Sequence, residues 1–243
     1  MRTPLSISVV LAVLTANAAV AADLPTYKAQ PIAPIAPPSL TWTGLYVGVQ
    51  GGVSWGSSDE TFYGGPNTAI FDGSQNYNLE GGIVGGLVGY DYQIGSFVLG
   101  LQGDYNWADV SGRSGVINVT PNRGDTYFTR LTSYGDAKAR LGYAAGPILL
   151  FLDGGFAFGT LQHRYDAALN GGAANSFSHN TGQVGWTIGG GVEYKFAQNW
   201  SAGIEYDYVD LGSSTIQYSA TPANRSTWRD TFNVVKAMVG YHF

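Results

Sequence analysis

From Trp42 onward the chain alternates with a period of two, and in each alternating segment the charges fall on one face only. In GLYVGVQGGVSW, residues 44–55, one face carries Leu45, Val47, Val49, Val53 and Trp55, and the other Tyr46, Gly48, Gln50, Gly52 and Ser54. Side chains that alternate in this way define strands, not helices. The pattern recurs near 82–93, 97–107, 130–143, 148–159, 183–196, 200–209 and 232–243. Short breaks at Ile94-Gly95-Ser96, Ala145-Gly146-Pro147 and Ala197-Gln198-Asn199 alternate with long ones at 56–81, 108–129, 160–182 and 210–231. An even set of eight strands joined alternately by tight turns and long loops predicts an all-β, eight-stranded antiparallel up-and-down β-barrel. A likeness between residues 89–107 and 191–208, each running from Gly-x-x-Tyr through a turn to an acid and aromatics, fits a meander of similar hairpins.

Which face lies inside decides between a soluble barrel and one that spans a bilayer. The uncharged face runs through Val84, Val88, Leu99, Leu101, Leu131, Ala137, Ala139, Leu141, Leu150, Leu152, Val184, Ile188, Val192, Ile204, Val235 and Val239. Its aromatics sort to the two ends. Tyr90, Tyr92, Phe97, Tyr143, Tyr194, Phe196, Trp200, Tyr241 and Phe243 lie near the short turns, and Trp55, Tyr105, Trp107, Phe156, Phe158, Trp186, Tyr206 and Tyr208 near the long loops. Two aromatic belts around an aliphatic band match the girdles of a transmembrane barrel, and a soluble barrel has no reason to sort them. Only 12% of the 243 residues are charged, against 14% aromatic, as suits an outer surface solvated by lipid. The terminal Phe243 then closes the last strand inside a girdle.

The beginning of the chain reads differently. Residues 1–22 hold one Arg, an apolar run too short to span a bilayer, and Ala19-Val20-Ala21 before the break, the pattern of a secretory signal peptide. Residues 23–41 hold five prolines and read as an extended periplasmic arm. The barrel occupies 42–243. Cysteine is absent from the chain, which excludes disulfides and thiolate chemistry, and no basic cluster points to nucleic acid.

Trp42-Thr43-Gly44-Leu45-Tyr46-Val47-Gly48 resembles the opening strand of the small, OmpA-like outer-membrane proteins of alphaproteobacteria. Ala139-Arg140-Leu141-Gly142-Tyr143, Gly189-Gly190-Gly191-Val192-Glu193-Tyr194, Glu205-Tyr206-Asp207-Tyr208 and Val239-Gly240-Tyr241-His242-Phe243 resemble later strands of that family. The resemblance implies residence in the outer membrane, contact with its lipid and lipopolysaccharide, and a C-terminal strand read by the outer-membrane assembly machinery. It leaves open a surface antigen that supports membrane integrity, a narrow porin, or a haem binder. Peptidoglycan is a further candidate partner for the arm.

The inward face carries the chemistry. Asp104, Asp136, Lys138, Arg140, Asp153, Glu193, Glu205, Asp207 and Lys236 are expected to form a charge network in a lumen just wide enough to fill with side chains. Asp91 and Lys195 share that face. A plug of ion pairs is the plainer expectation, and a gated ion path the alternative. The membrane-interface set is Trp55, Trp107, Trp186, Tyr194, Trp200, Tyr206, Tyr241 and Phe243. No catalytic, cofactor or metal site is assigned. His163 and His179, placed in the third long loop with Ser176 and Ser178 nearby, are the residues from which a hydrolase, haem or metal site would have to be built, but nothing in the sequence fixes their geometry.

Overall fold

The computed structural model describes residues 40–63, 73–120, 123–169, 175–217 and 225–243. The signal peptide and all of the arm before residue 40 lie outside the described residues, as do the tips of the long loops. The strands are β1 (Gly44–Tyr63), β2 (Gly73–Ile94), β3 (Phe97–Arg113), β4 (Ile117–Thr120), β5 (Arg123–Ala145), β6 (Ile148–Leu169), β7 (Asn175–Lys195), β8 (Trp200–Gln217) and β9 (Arg225–His242). Every neighbouring pair is antiparallel. Eight long strands form one ring, closed by β1–β9 at one seam and β3–β5 at the other, with the short β4 laid against β5. Closure leaves the membrane band without unpaired backbone, the condition for crossing a bilayer with strands. Two of the tight turns bend at Gly95 and Gly146, whose φ angles of 62° and 63° favour glycine.

The strands are far longer than the alternation suggested, at 17 to 23 residues for all but β4. Much of what reads as long loops, including 56–63, 73–81, 160–169 and 175–182, is strand. The reason is an inversion of polarity along each strand. On β2 the outward residues change from Ser74, Asn76, Asn78 and Glu80 to Val84, Val88, Tyr90 and Tyr92. The inward ones change from Tyr77, Leu79, Ile83 and Leu87 to Asp91. On β9 the outward row passes from Arg229, Thr231 and Asn233 to Val235, Ala237 and Val239, and the inward row from Trp228, Asp230, Phe232 and Val234 to Lys236. In the band the outside meets lipid, so it is apolar. Beyond the girdle it meets water, and the interior takes over the apolar side chains. One residue changes face: a register shift between Leu131 and Ser133 turns Leu131 into the interior, where it is 3% exposed, instead of outward.

The outward band is the same set of residues that the aromatic sorting picked out. Trp55, Trp107, Trp186, Tyr194, Trp200, Tyr206 and Phe243 are exposed, and Tyr241 packs edge-on against both Trp200 and Phe243. Val88 and Ile188 stand between the girdles and are exposed. Arginine at Val88 or Ile188 should therefore destabilise the barrel by about 2–4 kcal/mol, while Asn76→Arg, beyond the girdle on the same face of β2 as Val88, should cost about 0–1 kcal/mol. Denaturant unfolding in lipid vesicles measures all three.

Candidate functional site

Inside the ring the side chains form layers. At the short-turn end lies an apolar layer of Trp42, Tyr46, Leu87, Val98, Ala144, Leu149, Phe151 and Met238. Trp42 enters from the N-terminal side and is fully buried; its backbone N–H donates to Gln93 Oε1 at 2.9 Å, and Lys195 Nζ lies 4.8 Å from the centre of its ring. Lys195 donates to Thr41 O at 2.5 Å and so belongs to this mouth and not to the central charges.

Arg140 reaches into this layer. Its Nη1 is 3.1 Å from Glu193 and 3.6 Å from Asp91, and its guanidinium lies 3.8 Å over the Phe151 ring. His242 Nε2 sits 3.0 Å from Ser201 Oγ and 3.3 Å from Glu193 Oε1. Serine, histidine and acid thus meet, but the serine and the acid face the same ring nitrogen, so no relay of the hydrolase kind results.

The middle of the lumen is a second charge cluster, built around two lysines that arrive from opposite sides of the ring. Lys138 on β5 pairs with Glu205 and lies 3.1 Å from Asp207 and 3.8 Å from both Asp136 and Asp153. Lys236 on β9 lies 2.8 Å from Asp207, 2.9 Å from Asp104 and 3.2 Å from Glu205. Tyr134 donates to Asp136 at 2.6 Å. Asp104 and Asp136 are directly opposed across the β3–β5 ladder, a repulsive pair in isolation, and each is turned to a different ammonium. Asp153, Glu205 and Asp207 bring carboxylate oxygens within 4.8 Å of one another, as a divalent ion would require, but the Lys138 ammonium already serves that position. The nine residues read as a lumen network therefore fall into two clusters, Arg140 with Glu193 in one and the other seven in the second.

Above the lysines the interior turns apolar again. Leu79, Ile83, Val110, Leu131, Ala157, Leu161, Val209, Leu211, Phe232 and Val234 form a continuous layer with Tyr77, Tyr127 and Tyr134. Tyr77, Leu79, Val110, Tyr127, Leu161 and Leu211 of this layer fall in the stretches 56–81, 108–129, 160–182 and 210–231 that read as loops, while the rest sit at the ends of stretches that read as strands.

Beyond that layer lies a small polar chamber. Tyr77 Oη is 2.6 Å from Thr129 Oγ1, which is 3.0 Å from His163 Nδ1. His163 Nε2 faces Asp230 Oδ2 at 3.7 Å, Gln183 Nε2 donates to Asp230 at 3.3 Å, and Trp228 stacks 4.9 Å from the His163 ring. Glu60 is fully buried on the same face of β1 as Ser58. Burial pushes the Glu60 carboxyl up to about 8, against a smaller opposing effect of the Ser226 hydroxyl, and raises Asp230 to about 6. Burial, then the charge of His179, lowers His163 to about 4.

His163 and His179 are on strands, not in a loop, and are direct partners across the β6–β7 ladder. Ser176 and Ser178 lie on the outward face of β7, where Ser176 bonds to Asp166 and Gln162 donates to Ser178. They are therefore turned away from the histidines.

An aliphatic band between aromatic girdles around a filled interior defines an integral membrane β-barrel. The chain belongs to the outer membrane protein beta-barrel domain family, whose profile matches residues 8–243. It is similar to the 31 kDa outer-membrane immunogenic protein of Brucella melitensis, at 31% identity over 204 residues covering 79% of this chain and 80% of that protein. It is also similar to the 25 kDa outer-membrane immunogenic protein of the same organism, at 26% identity with both chains covered in full. Among solved structures, OprG of Pseudomonas aeruginosa is similar with a TM-score of 0.44 at 12% identity, covering 83% of this chain and 96% of that one. Neisserial surface protein A gives 0.37 at 14% identity, covering 83% and 98%. The protein resides in the outer membrane, in a barrel family whose relatives are named as outer-membrane immunogenic proteins and not as enzymes.

Two outcomes follow from the chambers. Lys138→Ala leaves buried carboxylates facing one another and should cost roughly 3–5 kcal/mol in vesicle unfolding, with part recovered in Lys138→Met/Glu205→Gln. The folded-state value of Glu60 lies above its ordinary 4.5, so the folded barrel binds the extra proton between about 4.5 and 8. Its contribution to stability is full at the acid end and is lost as pH rises through about 8. Asp230, raised by burial to about 6, adds to the fall in the lower part of that range. Unfolding midpoints measured from pH 5 to 9 should fall less steeply in Glu60→Gln than in the wild type.

Proposed function

We propose that the chain is a sealed, non-conducting structural barrel that supports outer-membrane integrity and carries its long strand ends and their connecting loops on the cell surface as the immunogenic portion. The observation that carries this reading is the layering of the lumen. The central charges lie between two apolar layers, one holding Trp42, Leu149 and Met238 and the other Leu79, Leu161 and Phe232. An ion would have to leave water twice, and the cluster it would then meet is already paired. The porin alternative needs a continuous wet path, and the packed layers speak against one.

The short turns belong in the periplasm and the extended end outside, the usual arrangement of such barrels. In that orientation Phe243 sits in the periplasmic girdle with its N–H bonded to Leu45 O at 2.9 Å, and Asn199 ties down His242 O at 2.6 Å. Lipid and lipopolysaccharide would contact the band and outer rim, the assembly machinery would read the last strand, and the arm would be free to meet peptidoglycan. Purified protein in planar bilayers should give no steady channels. Stable single-channel currents, with ion selectivity altered in Arg140→Ala, would instead establish the porin reading.

A further inference from the structure

The polar chamber at the extended end contains more ligand chemistry than packing requires. His163 is 4% exposed, and its Nε2 has no hydrogen-bond partner. The 3.7 Å between that nitrogen and Asp230 Oδ2 is too long for a hydrogen bond. It is close to the spacing a metal ion spans: a tetrahedral ion bonded at about 2.1 Å to nitrogen and oxygen holds the two atoms about 3.4 Å apart. A few tenths of an ångström of side-chain movement closes the site.

The surroundings have the form of a metal histidine's outer shell. Thr129 Oγ1, 3.0 Å from Nδ1, can accept the ring N–H and in turn donate to Tyr77 Oη at 2.6 Å. With the bonds in that direction, the tautomer is the one whose bare Nε2 faces Asp230. His179, the cross-strand partner of His163 on the same inward face, is exposed; its ring is not gathered with His163 and Asp230, so completing a three-ligand site requires its side chain to turn toward them. Gln183 Oε1, also without a partner, lies on the carboxamide bonded to Asp230.

The chamber also has an access route. The β7–β8 ladder ends at Trp186↔Asp210, although β7 continues to Asn175 and β8 to Gln217. A bulge between Asp210 and Ser213 turns β8 aside: Gly212 takes a φ of 75° and donates its N–H to Asp210 Oδ1, while Arg229 holds the other carboxylate oxygen at 2.7 Å. Among the described residues no pairing closes the wall above that point, and His179 stands beside the gap.

We propose that His163, Asp230 and His179 bind one divalent transition-metal ion of the zinc class at the outer end of the barrel, with Thr129 as the positioning residue and a water or Gln183 Oε1 in the fourth place. Two imidazoles and a carboxylate select zinc, nickel or copper over magnesium or calcium. The site lies outside the sealed part of the lumen, so it stands or falls independently of the non-conducting reading.

The test is calorimetric titration of the full-length refolded protein with ZnCl2 near neutral pH, with folding of each variant checked by circular dichroism. One saturable site per chain is expected, undisturbed by excess Mg2+. Thr129→Val should weaken it about 10–100-fold, the range for loss of an outer-shell partner. His179→Ala, a change at an exposed position that leaves folding intact, should weaken it at least as much, and His163→Gln should abolish it. Ni2+ should quench the fluorescence of Trp228, stacked on His163, and Trp228→Phe should remove that quenching. Absence of a saturable site in the wild type, competition by Mg2+, unchanged affinity in His179→Ala, or quenching that survives in Trp228→Phe would each overturn the proposal.

Discussion

Two ammonium groups held among five carboxylates set the terms for the rest of this barrel. Lys138 and Lys236 come from strands on opposite sides of the ring and share Glu205 and Asp207. A charge that has left water must be paired and hydrogen-bonded to be tolerated. The pairing therefore fixes the register of β3, β5, β6, β8 and β9 at once, since a slip of one residue in any of them would turn a charge toward lipid. The cluster specifies the fold as much as it fills it.

The apolar layers on either side follow from the same requirement. Eight strands leave an interior narrow enough to close with side chains, and residues such as Leu149 and Phe151 on one side and Leu161 and Phe232 on the other keep water from the ion pairs. Above the girdle the barrel continues as an ordinary half-buried sheet, wet outside and apolar inside. Its outermost layer is polar again, with Glu60, His163 and Asp230 buried near the rim. The β7–β8 pairing stops where Asp210 bends β8, so the lower lumen, packed between two apolar layers, and the upper end are distinct parts of one ring.

Much of this was legible in the sequence where one face is lipid. Val, Leu and Ile alternating with charged or small residues fixed the membrane portion of each strand, and the aromatic sorting distinguished it from a soluble barrel. The upper halves were not legible for a physical reason. There Tyr77, Leu79 and Leu161 face inward while Asn76, Asn78 and Gln162 face water, so the contrast between faces reverses within a strand, and a single-phase reading stops at the reversal. The cross-strand pairing of His163 with His179 was hidden for the same reason, since 160–182 read as a loop. Leu131 was misplaced because a register shift leaves no mark in composition. The inward charges were readable as a set, but their division into two clusters depends on strand order and stagger, which alternation alone does not carry.

The sealed interior can be tested by chemistry on the two central lysines. Folded barrel in lipid vesicles is treated with a water-soluble amine-acylating reagent at mildly alkaline pH and analysed residue by residue by mass spectrometry, beside an unfolded control. The account predicts that Lys138 and Lys236 stay unmodified in the folded protein and react once it is unfolded. Acylation of either lysine in the folded barrel, at a rate near that of the unfolded chain, would show that water reaches the cluster and would contradict it.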